Sequence, residues 1–243
     1  MNSPRFSVVI PAFNEERFLP RLLATLAVAT SRAGPGVQVE IIVADNASTD
    51  ATAGIALAHG CQVARVEKRA IAAARNGGAR LARGDVLCFV DADMQVHPDT
   101  FAVIDRAIRR DDVVGGATGV SSERWSLGIA VTWAVMLPMV WLTGMDTGVV
   151  FCRRVDFEAI GGYDEGRLYA EDVVFLVALR RRGRPQGRRL FRPRGAKAVV
   201  SARKFDRHGD WHMLASFFRL LCLQVFAPAK ARREAWAYWY DVR

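Results

Sequence analysis

The sequence has little cysteine, and its cysteines are far apart. Only four of the 243 residues are cysteine, and no two of them form a C-x-x-C pair. They are Cys61, Cys88, Cys152 and Cys222. Isolated cysteines within apolar segments are typical of buried reduced thiols, so the spacing disfavours a disulfide framework and a zinc site.

Two further patterns are missing. No G-x-G-x-x-G fingerprint is present, which removes support for a dinucleotide enzyme that transfers hydride. Residues 1–5 lead into an apolar β-prone run without the pattern of a signal peptide. We therefore expect a cytosolic protein.

Acidic residues are almost absent from residues 180–207. This segment holds twelve Arg or Lys residues and one acidic residue, Asp206, and accounts for the whole excess of the net charge of +9. Nucleic acid, anionic lipid or a phosphorylated substrate would match such a segment, and so would a solvated basic face. Aromatic residues rarely interleave with the arginines, which disfavours stacking on single strands. No nucleic-acid partner is predicted.

Charge of either sign is absent between Arg124 and Asp146. The apolar stretch is close to the lower length limit of a membrane span, but Gly128 and Pro138 interrupt it. A span would also put two parts of one domain on opposite sides of a bilayer. We expect residues 125–145 to form a helix that is buried or lies at a membrane interface, where it touches lipid.

Hydrophobic residues make up 51% of the chain, which is enough for the core of one large domain. Apolar β-prone runs predict strands at residues 7–10, 39–44, 62–66, 86–90, 113–120 and 148–152. Helical patterns separate them, including one over 70–82 that Asn76-Gly77-Gly78 is expected to interrupt. The alternation predicts an α/β fold: a single domain with a mostly parallel sheet flanked by helices.

The predicted strand at 86–90 runs into two carboxylates, Asp91 and Asp93. Residues two apart on an extended strand project to the same side, so both carboxylates should converge at its carboxyl end. Open α/β sheets bind ligands at that edge. Because neighbouring carboxylates repel and hard divalent cations prefer oxygen ligands, the pattern predicts a metal that also holds a diphosphate.

Several motifs follow one another in a familiar order. They are Val8–Glu16, Ile41–Asp50, Ala74–Ala79, Gly84–Asp93, Phe151–Arg154, Gly161–Glu165 and Glu171–Asp172. Together they resemble a family two glycosyltransferase of the GT-A fold, over about residues 6–182. The resemblance implies a GT-A domain over 1–210, with a nucleotide-sugar half at about 1–95 and an acceptor half at about 96–210. An apolar helix and aromatic tail are expected over 211–243.

The resemblance implies a UDP- or GDP-linked sugar as donor, with Asp45 accepting hydrogen bonds from the base. The residues implied in donor binding are Pro11, Phe13, Asn14, Glu15, Asp45, Arg75, Asn76, Asp91, Ala92 and Asp93. Asp91 and Asp93 would ligate Mg²⁺ or Mn²⁺, with Gln95 and His208 as further ligands. Arg203 and Lys204, in a late basic segment, are candidates for phosphate contact.

Inversion at the sugar requires a base that takes the acceptor proton on the face opposite the leaving group. By resemblance this is Asp172, with Glu171 beside it. Both fall at the predicted N-terminus of a helix, whose dipole favours ionised carboxylates, so we expect a lowered pKa for the base. The alternative is that either residue is only a helix cap.

The chain departs from the family pattern after Asp45 and after Asp93. Residues 45–48 read D-N-A-S where the family commonly has D-D-G-S, and Ser48 is interpreted as a helix cap. Residues 91–95 read D-A-D-M-Q, which is similar to polyprenyl-phosphate mannose synthases. With the apolar stretch and the basic segment, that similarity suggests a lipid-phosphate acceptor.

The sequence therefore predicts an inverting, metal-dependent glycosyltransferase in the cytosol or on the cytosolic membrane face. Its acceptor would be a sugar or a lipid-linked molecule, and an anionic membrane surface is a candidate partner. One alternative is a polyprenyl-phosphate glycosyl synthase. Another is a nucleotide-sugar-binding protein without turnover, since an intact motif does not establish catalysis.

Overall fold

The computed structural model describes residues 3–143, 146–167, 170–216 and 219. The strands are β1 Phe6–Ala12, β2 Val39–Asp45, β3 Gln62–Arg65, β4 Val86–Phe89, β5 Met94–Gln95, β6 Val113–Ala117, β7 Val120–Ser122, β8 Val150–Arg153, β9 Arg189–Phe191 and β10 Ala198–Val200. The helices are α1 Leu19–Ser31, α2 Thr52–Ala58, α3 Ile71–Leu81, α4 Thr100–Ile108, α5 Leu127–Thr143, α6 Arg154–Ala159, α7 Glu171–Gly183 and α8 Arg203–His208.

Seven strands form one large sheet in the order β3-β2-β1-β4-β8-β6-β9. Its pairs are parallel except where β8 runs antiparallel to β4 and to β6. A small sheet has the order β5-β10-β7. The predicted α/β architecture with a mostly parallel sheet flanked by helices is confirmed.

Helices cover both faces of the large sheet. Val8 and Ile10 of β1 pack with residues of α1 and α4, while Val9 packs with residues of α3 and α7 on the other face. All seven residues of β1 are buried, as expected for a strand covered on both sides. Because β1, β2 and β4 are parallel, the loops that follow them meet at one edge of the sheet.

Helix α3 is continuous, so the predicted interruption at residues 76–78 is wrong. Gly77 and Gly78 both face the sheet at very short range. A Cβ atom on Gly77 would lie 2.3 Å from Val66 Cγ2, and one on Gly78 would lie 2.5 Å from Val9 Cγ1. The glycines are therefore needed for close packing of the helix on the sheet and do not break it.

Helix α2 begins later than the sequence suggested. It starts at Thr52, whose backbone N–H donates to Asp50 Oδ1 at 2.9 Å. The Ser48 hydroxyl instead accepts a hydrogen bond from the backbone N–H of Asn14 at 3.0 Å. The interpretation of Ser48 as a helix cap is wrong, because this side chain joins the β1–α1 loop to the β2–α2 loop.

Strand β4 ends before the two carboxylates. Residues 91–93 form a turn in which the backbone N–H of Met94 donates to Asp91 O at 3.1 Å. The predicted alternation along an extended strand therefore does not apply to Asp91 and Asp93, and their approach depends on the turn. The predicted strand at 113–120 is also divided, into β6 and β7.

The apolar stretch forms α5, a 17-residue helix with Pro138 inside it. Ile129 and Thr132 are buried, whereas Leu127 and Val135 are exposed. None of the helices in the described ranges is long and apolar enough to cross a membrane. Most of the predicted C-terminal apolar helix and aromatic tail, at 211–243, lies outside the described residues.

Candidate active site

A cavity of about 470 Å³ lies at the edge of the large sheet where β1, β2 and β4 end. Residues from several separate elements line it: Pro11 of β1, Phe13 after β1, Asn46 after β2, Ile71 and Ala74 of α3, Asp91, Ala92 and Asp93 after β4, Trp133 and Met136 of α5, Glu171 and Asp172 of α7, and Lys204 of α8. The edge is the one at which open α/β sheets bind ligands. The cavity is therefore the candidate active site.

The structure brings together part of the predicted site in this lining. The predicted residues that line the cavity are Pro11, Phe13, Asp91, Ala92, Asp93, Glu171, Asp172 and Lys204. Those outside the lining are Asn14, Glu15, Asp45, Arg75, Asn76, Gln95, Arg203 and His208. Two members of this second group, Arg75 and Arg203, pair with carboxylates of the first group.

Arg75 lies at the centre of a buried ionic network. Its guanidinium donates to Asp91 Oδ1 at 2.8 Å, to Glu171 Oε1 at 3.2 Å and to Asp172 Oδ1. The side chain is only 3% exposed. A buried cation needs such partners, and Arg75 in turn ties the turn after β4 to the start of α7. Arg75 thus positions one carboxylate in the turn after β4 and two at the start of α7.

The pKa of Asp172 is raised to about 6, which contradicts the expected lowering. Burial is the main cause, since it disfavours the charged form, and the negative charges of Glu171 and Asp91 act in the same direction. The positive charge of Arg75 opposes them. At the first turn of α7 the helix dipole is therefore outweighed by desolvation.

Asp91 and Asp93 each have an arginine as counter-charge. Asp91 pairs with Arg75 at 2.8 Å, and Asp93 Oδ2 lies 2.9 Å from Arg203 Nη2. Arg203 also makes a two-pronged contact with Glu15, at 2.8 and 2.9 Å, and Glu15 is 1% exposed. The turn that carries the two carboxylates is therefore fixed from both sides by guanidinium groups.

Three predicted donor-site residues form the local framework in the structure. Asn14 has a positive φ of 53° and its Oδ1 accepts from the backbone N–H of Thr49 at 2.9 Å. Asp45 Oδ1 accepts from the backbone N–H of Ser48 at 3.2 Å. Asn76 donates to Tyr163 O at 2.9 Å and to Glu165 Oε1 at 3.0 Å. Their described hydrogen bonds serve loop geometry.

Gln95 and His208 are not among the residues that line the cavity. Gln95 is on β5, where it pairs with Val199 of β10, and His208 is exposed at the end of α8. Within the described part of the chain, no group of three His, Cys, Asp or Glu side chains is arranged to hold a metal ion. Any metal here would be held by Asp91 and Asp93 together with the substrate.

That donor set fits a substrate-bridging cation. Magnesium is commonly bound through one or two carboxylates plus substrate phosphates, with no complete cage of protein ligands. Asp91 and Asp93 supply carboxylate oxygens at the cavity wall, with side chains 40% and 21% exposed. The residues present therefore fit a metal that a diphosphate completes.

Sequence reasoning missed two residues that shape the site, Asn46 and Tyr163. Asn46 donates from its amide to Val66 O at 2.9 Å and to Lys68 O at 2.7 Å, and it lines the cavity. Tyr163 donates to Asp172 Oδ1 at 3.2 Å. Glu15, which the sequence did predict as a donor-site residue, anchors Arg203. The D-N departure and the G-G-Y-D-E motif were visible in the sequence, but the partners of these side chains were not.

One side of the cavity is apolar. Thr132, Trp133, Met136 and Leu137 of α5 line it, and Leu137 is also 37% exposed. Beside this wall lies Asp146, which is buried and 2.6 Å from Arg192 Nη2. Burial raises the pKa of Asp146, opposed by Arg192. The cavity thus joins a charged end to an apolar end.

Comparison with known proteins identifies the family of this chain. The model of glycosyl transferase family 2 matches residues 7–152. An undecaprenyl-phosphate 4-deoxy-4-formamido-L-arabinose transferase of Pseudomonas paraeruginosa is 36% identical over 117 residues, which are 45% of this chain and 34% of the relative. The matched segments cover between 22% and 34% of the length of this and the other most similar curated relatives.

Solved structures agree on the fold. TarS of S. aureus in complex with UDP has a TM-score of 0.64 and 19% identity, and the match covers 81% of this chain and 60% of TarS. Glucosyl-3-phosphoglycerate synthase of Mycobacterium tuberculosis, in complex with Mn²⁺ and UDP, has a TM-score of 0.58 and 19% identity over 82% of this chain and 71% of that enzyme. The predicted GT-A fold is confirmed. On its sequence match and its fold, the chain belongs to glycosyl transferase family 2.

Proposed function

We propose that this chain is an inverting, metal-assisted glycosyltransferase that uses a nucleotide-diphospho-sugar, with Asp172 as the general base. The observation that carries the proposal is the cavity that Asp91, Asp93 and Asp172 line together. Arg75 pairs with Asp91 and with Asp172 and so connects two of the three. A donor and an acceptor bound there would meet between two sets of carboxylates. Family membership supports the same activity.

In the proposed reaction, Asp172 takes the proton of the acceptor hydroxyl as its oxygen attacks the anomeric carbon. The bond from that carbon to the diphosphate oxygen breaks, and the nucleoside diphosphate leaves with the electron pair. A pKa of about 6 leaves Asp172 mainly ionised at neutral pH and makes it a stronger base than an ordinary aspartate. Arg75 holds one of its oxygens throughout.

The leaving group carries growing negative charge, which the site must neutralise. Asp91 and Asp93 would hold Mg²⁺ or Mn²⁺ against the diphosphate, and the cation would stabilise that charge. Lys204 lines the same cavity and is placed to add positive charge. The Mn²⁺ and UDP named for the mycobacterial synthase support a divalent metal and a nucleoside-diphosphate donor.

Calorimetric titration of UDP and of GDP, each with and without Mn²⁺, tests the donor site. Wild type should bind one nucleotide in a metal-dependent manner, and Asp93→Ala should lose that binding. Asp85→Ala is the matched control, because Asp85 is 65% exposed and lies at the opposite end of β4. Binding that is metal-independent, or unaffected by Asp93→Ala, would contradict the proposed metal site.

Asp172→Asn tests the base. It keeps the size of the side chain and should leave nucleotide binding intact, while transfer falls by about 10²- to 10⁴-fold. Glu171→Gln is the comparison, because it removes a negative charge one residue away and leaves the proposed base in place. If Asp172→Asn transfers sugar at the wild-type rate, Asp172 is not the base. Nucleotide binding by wild type without any turnover would favour a binding protein.

For the acceptor, we propose a lipid-linked molecule reached at a membrane surface. The supporting observation is α5, whose inner side lines the cavity while Leu127 and Val135 are exposed on its outer side. Trp125 and Trp211 are exposed as well, and Gly128 packs against Asp210. Exposed tryptophans beside an apolar helix are typical of membrane interfaces. The undecaprenyl-phosphate named for the Pseudomonas relative supports the same class of acceptor.

Vesicle sedimentation tests the membrane surface. Leu127→Gln/Val135→Gln should weaken binding to vesicles of phosphatidylglycerol and phosphatidylcholine. Val28→Gln/Leu57→Gln is the matched control, because these residues are equally apolar and exposed but lie on α1 and α2. Equal binding by both double variants would remove the α5 surface. Transfer to a soluble sugar, with none to a short polyprenyl phosphate, would favour a sugar acceptor instead.

A further inference from the structure

Tyr163 is a buried tyrosine whose hydroxyl reaches the proposed base. It lies in the loop between α6 and α7, is 2% exposed and stacks on Phe175 with ring centroids 4.1 Å apart and planes 9° apart. Its hydroxyl donates to Asp172 Oδ1 at 3.2 Å. The reaction proposed above makes no use of this hydroxyl.

The loop that carries Tyr163 is fixed on both sides. Gly161 and Gly162 have positive φ angles of 78° and 75°, a conformation that side chains rarely adopt. The amide of Asn76 then clasps Tyr163: Oδ1 accepts from its backbone N–H and Nδ2 donates to its carbonyl, both at 2.9 Å. A Cβ on Gly162 would lie 2.6 Å from Asn76 Oδ1. These contacts therefore fix the position of the tyrosine relative to α7.

Both described hydrogen bonds to Asp172 go to the same oxygen. Arg75 Nη1 and the Tyr163 hydroxyl each donate to Oδ1. An oxygen with two donors is fixed in direction, so the carboxylate plane is fixed as well. Oδ2 is then the oxygen left for an acceptor in the cavity that Asp172 lines.

We propose that Tyr163 is a positioning residue for the transfer, whose hydroxyl fixes Asp172 Oδ1 so that Oδ2 meets the acceptor proton. The inference rests on the proposed role of Asp172 as base. Stacking on Phe175 and the two hydrogen bonds with Asn76 fix the position of the ring. The hydrogen bond from the hydroxyl then fixes the orientation of the Asp172 carboxylate. Arg75 supplies charge to the same oxygen, and Tyr163 supplies direction.

The hydroxyl also favours the ionised form of Asp172. Burial raises the pKa of Tyr163 well above its ordinary value, so it remains a protonated donor. The charged groups that face Asp172 are Arg75 on α3, Glu171 on α7 and Asp91 in the turn after β4. Removing a neutral donor leaves these charges unchanged and raises the pKa of Asp172.

Tyr163→Phe is the test, because it keeps the ring and its stacking and removes only the hydroxyl. We expect kcat to fall about tenfold, in line with the loss of a hydrogen bond to a charged group, with the KM for the donor unchanged. The acid limb of the pH profile should move upward by about half a unit to one unit. Phe157→Leu is the control, since Phe157 packs 6.4 Å from Tyr163 in the same aromatic cluster but carries no hydroxyl.

The outcomes separate this inference from the proposed function. A wild-type kcat and pH profile in Tyr163→Phe would overturn the positioning role while leaving Asp172 as base, provided that Asp172→Asn is inactive. An equal shift of the pH profile in Phe157→Leu would assign the effect to packing and would also overturn it. Full activity in Asp172→Asn would reject the base itself.

Discussion

Burial and charge act against each other at Asp172. Its side chain is 15% exposed and has Arg75 beside it, yet its pKa is raised to about 6 because desolvation exceeds the attraction. The ionised form that the proposed base needs is therefore the form that the fold disfavours. Such a conflict between stability and function is common at active sites.

The stability of Asp172→Asn relative to wild type should be higher at alkaline pH than at acid pH. The folded pKa of about 6 exceeds the ordinary value of 3.8, so the stabilising contribution of Asp172 is complete below about pH 4 and is lost as the pH rises through 6. Urea unfolding at pH 4 and pH 8 measures this. The difference between variant and wild type should change by about 2 kcal/mol in favour of the variant. An equal difference at both pH values would contradict the raised pKa.

Asn46 shows why one departure from the family pattern is tolerated here. Its amide nitrogen donates to two backbone carbonyls, Val66 O and Lys68 O, and its Oδ1 accepts from the N–H of Ala70 at 3.1 Å. An aspartate has no donor when ionised and would face those carbonyls with a negative charge. In this chain the asparagine joins the end of β2 to the loop before α3.

Asn46→Asp should therefore destabilise the fold by about 1 to 3 kcal/mol, because Val66 O and Lys68 O lose their donor. Gln38→Glu makes the same amide-to-acid change at an exposed position and should change stability by less than about 0.5 kcal/mol. Thermal or urea unfolding at pH 7 compares the two variants. A stable Asn46→Asp variant would mean that the loop rearranges to supply other donors.

At the level of elements, packing explains what sequence pattern could not. The strands and most helices were predictable because alternation of apolar runs and helical spacing depends only on neighbours along the chain. Helix α3 was predicted with a break because glycines lower helix propensity. The structure keeps the helix whole, since Gly77 faces Val66, just after β3, and Gly78 faces Val9 of β1. No local pattern reveals these contacts.

Gly78→Ala tests this explanation. The added methyl would lie 2.5 Å from Val9 Cγ1 and 3.2 Å from Ala44 Cβ, so we expect a loss of about 1 to 3 kcal/mol from overpacking. Gly54→Ala in α2 is the matched control, because nothing lies within 4 Å of its added carbon and alanine favours helix by up to about 1 kcal/mol. Urea unfolding should give opposite signs for the two variants. A stabilised Gly78→Ala would contradict close packing at this position.

Local sequence patterns also did not reveal the contacts within the candidate site. The motifs identified Asp91, Asp93 and Asp172, and all three line the cavity. The sequence could not show that Arg75 joins two of them or that Arg203 approaches the third from 110 residues away. The direction of the pKa shift of Asp172 was predicted wrongly for the same reason, because desolvation depends on every element packed around the side chain.

For the whole molecule, contacts between the two halves of the chain decide how it unfolds. Strand β4 pairs with β1 on one side and with β8 on the other. Phe89 packs against Phe157, Tyr163 and Phe175. The nucleotide-sugar half, predicted at 1–95, would expose this apolar surface if it opened away from the rest. We therefore expect one cooperative transition.

Two probes can follow the halves separately. All six tryptophans lie at residue 125 or later, three of them in the predicted acceptor half and three at 211–243. Their fluorescence therefore reports on the chain beyond the nucleotide-sugar half, while hydrogen exchange in β1 and β2 reports on that half. Glu15→Gln removes the buried carboxylate from its two-pronged contact with the half-buried Arg203 and should cost about 3 kcal/mol, lowering the unfolding midpoints of both halves together. Glu123→Gln breaks the exposed pair with Arg21 and should cost under about 1 kcal/mol. If Glu15→Gln lowered one midpoint and spared the other, the halves would be separate folding units and the ion pairs between them would carry little of the stability.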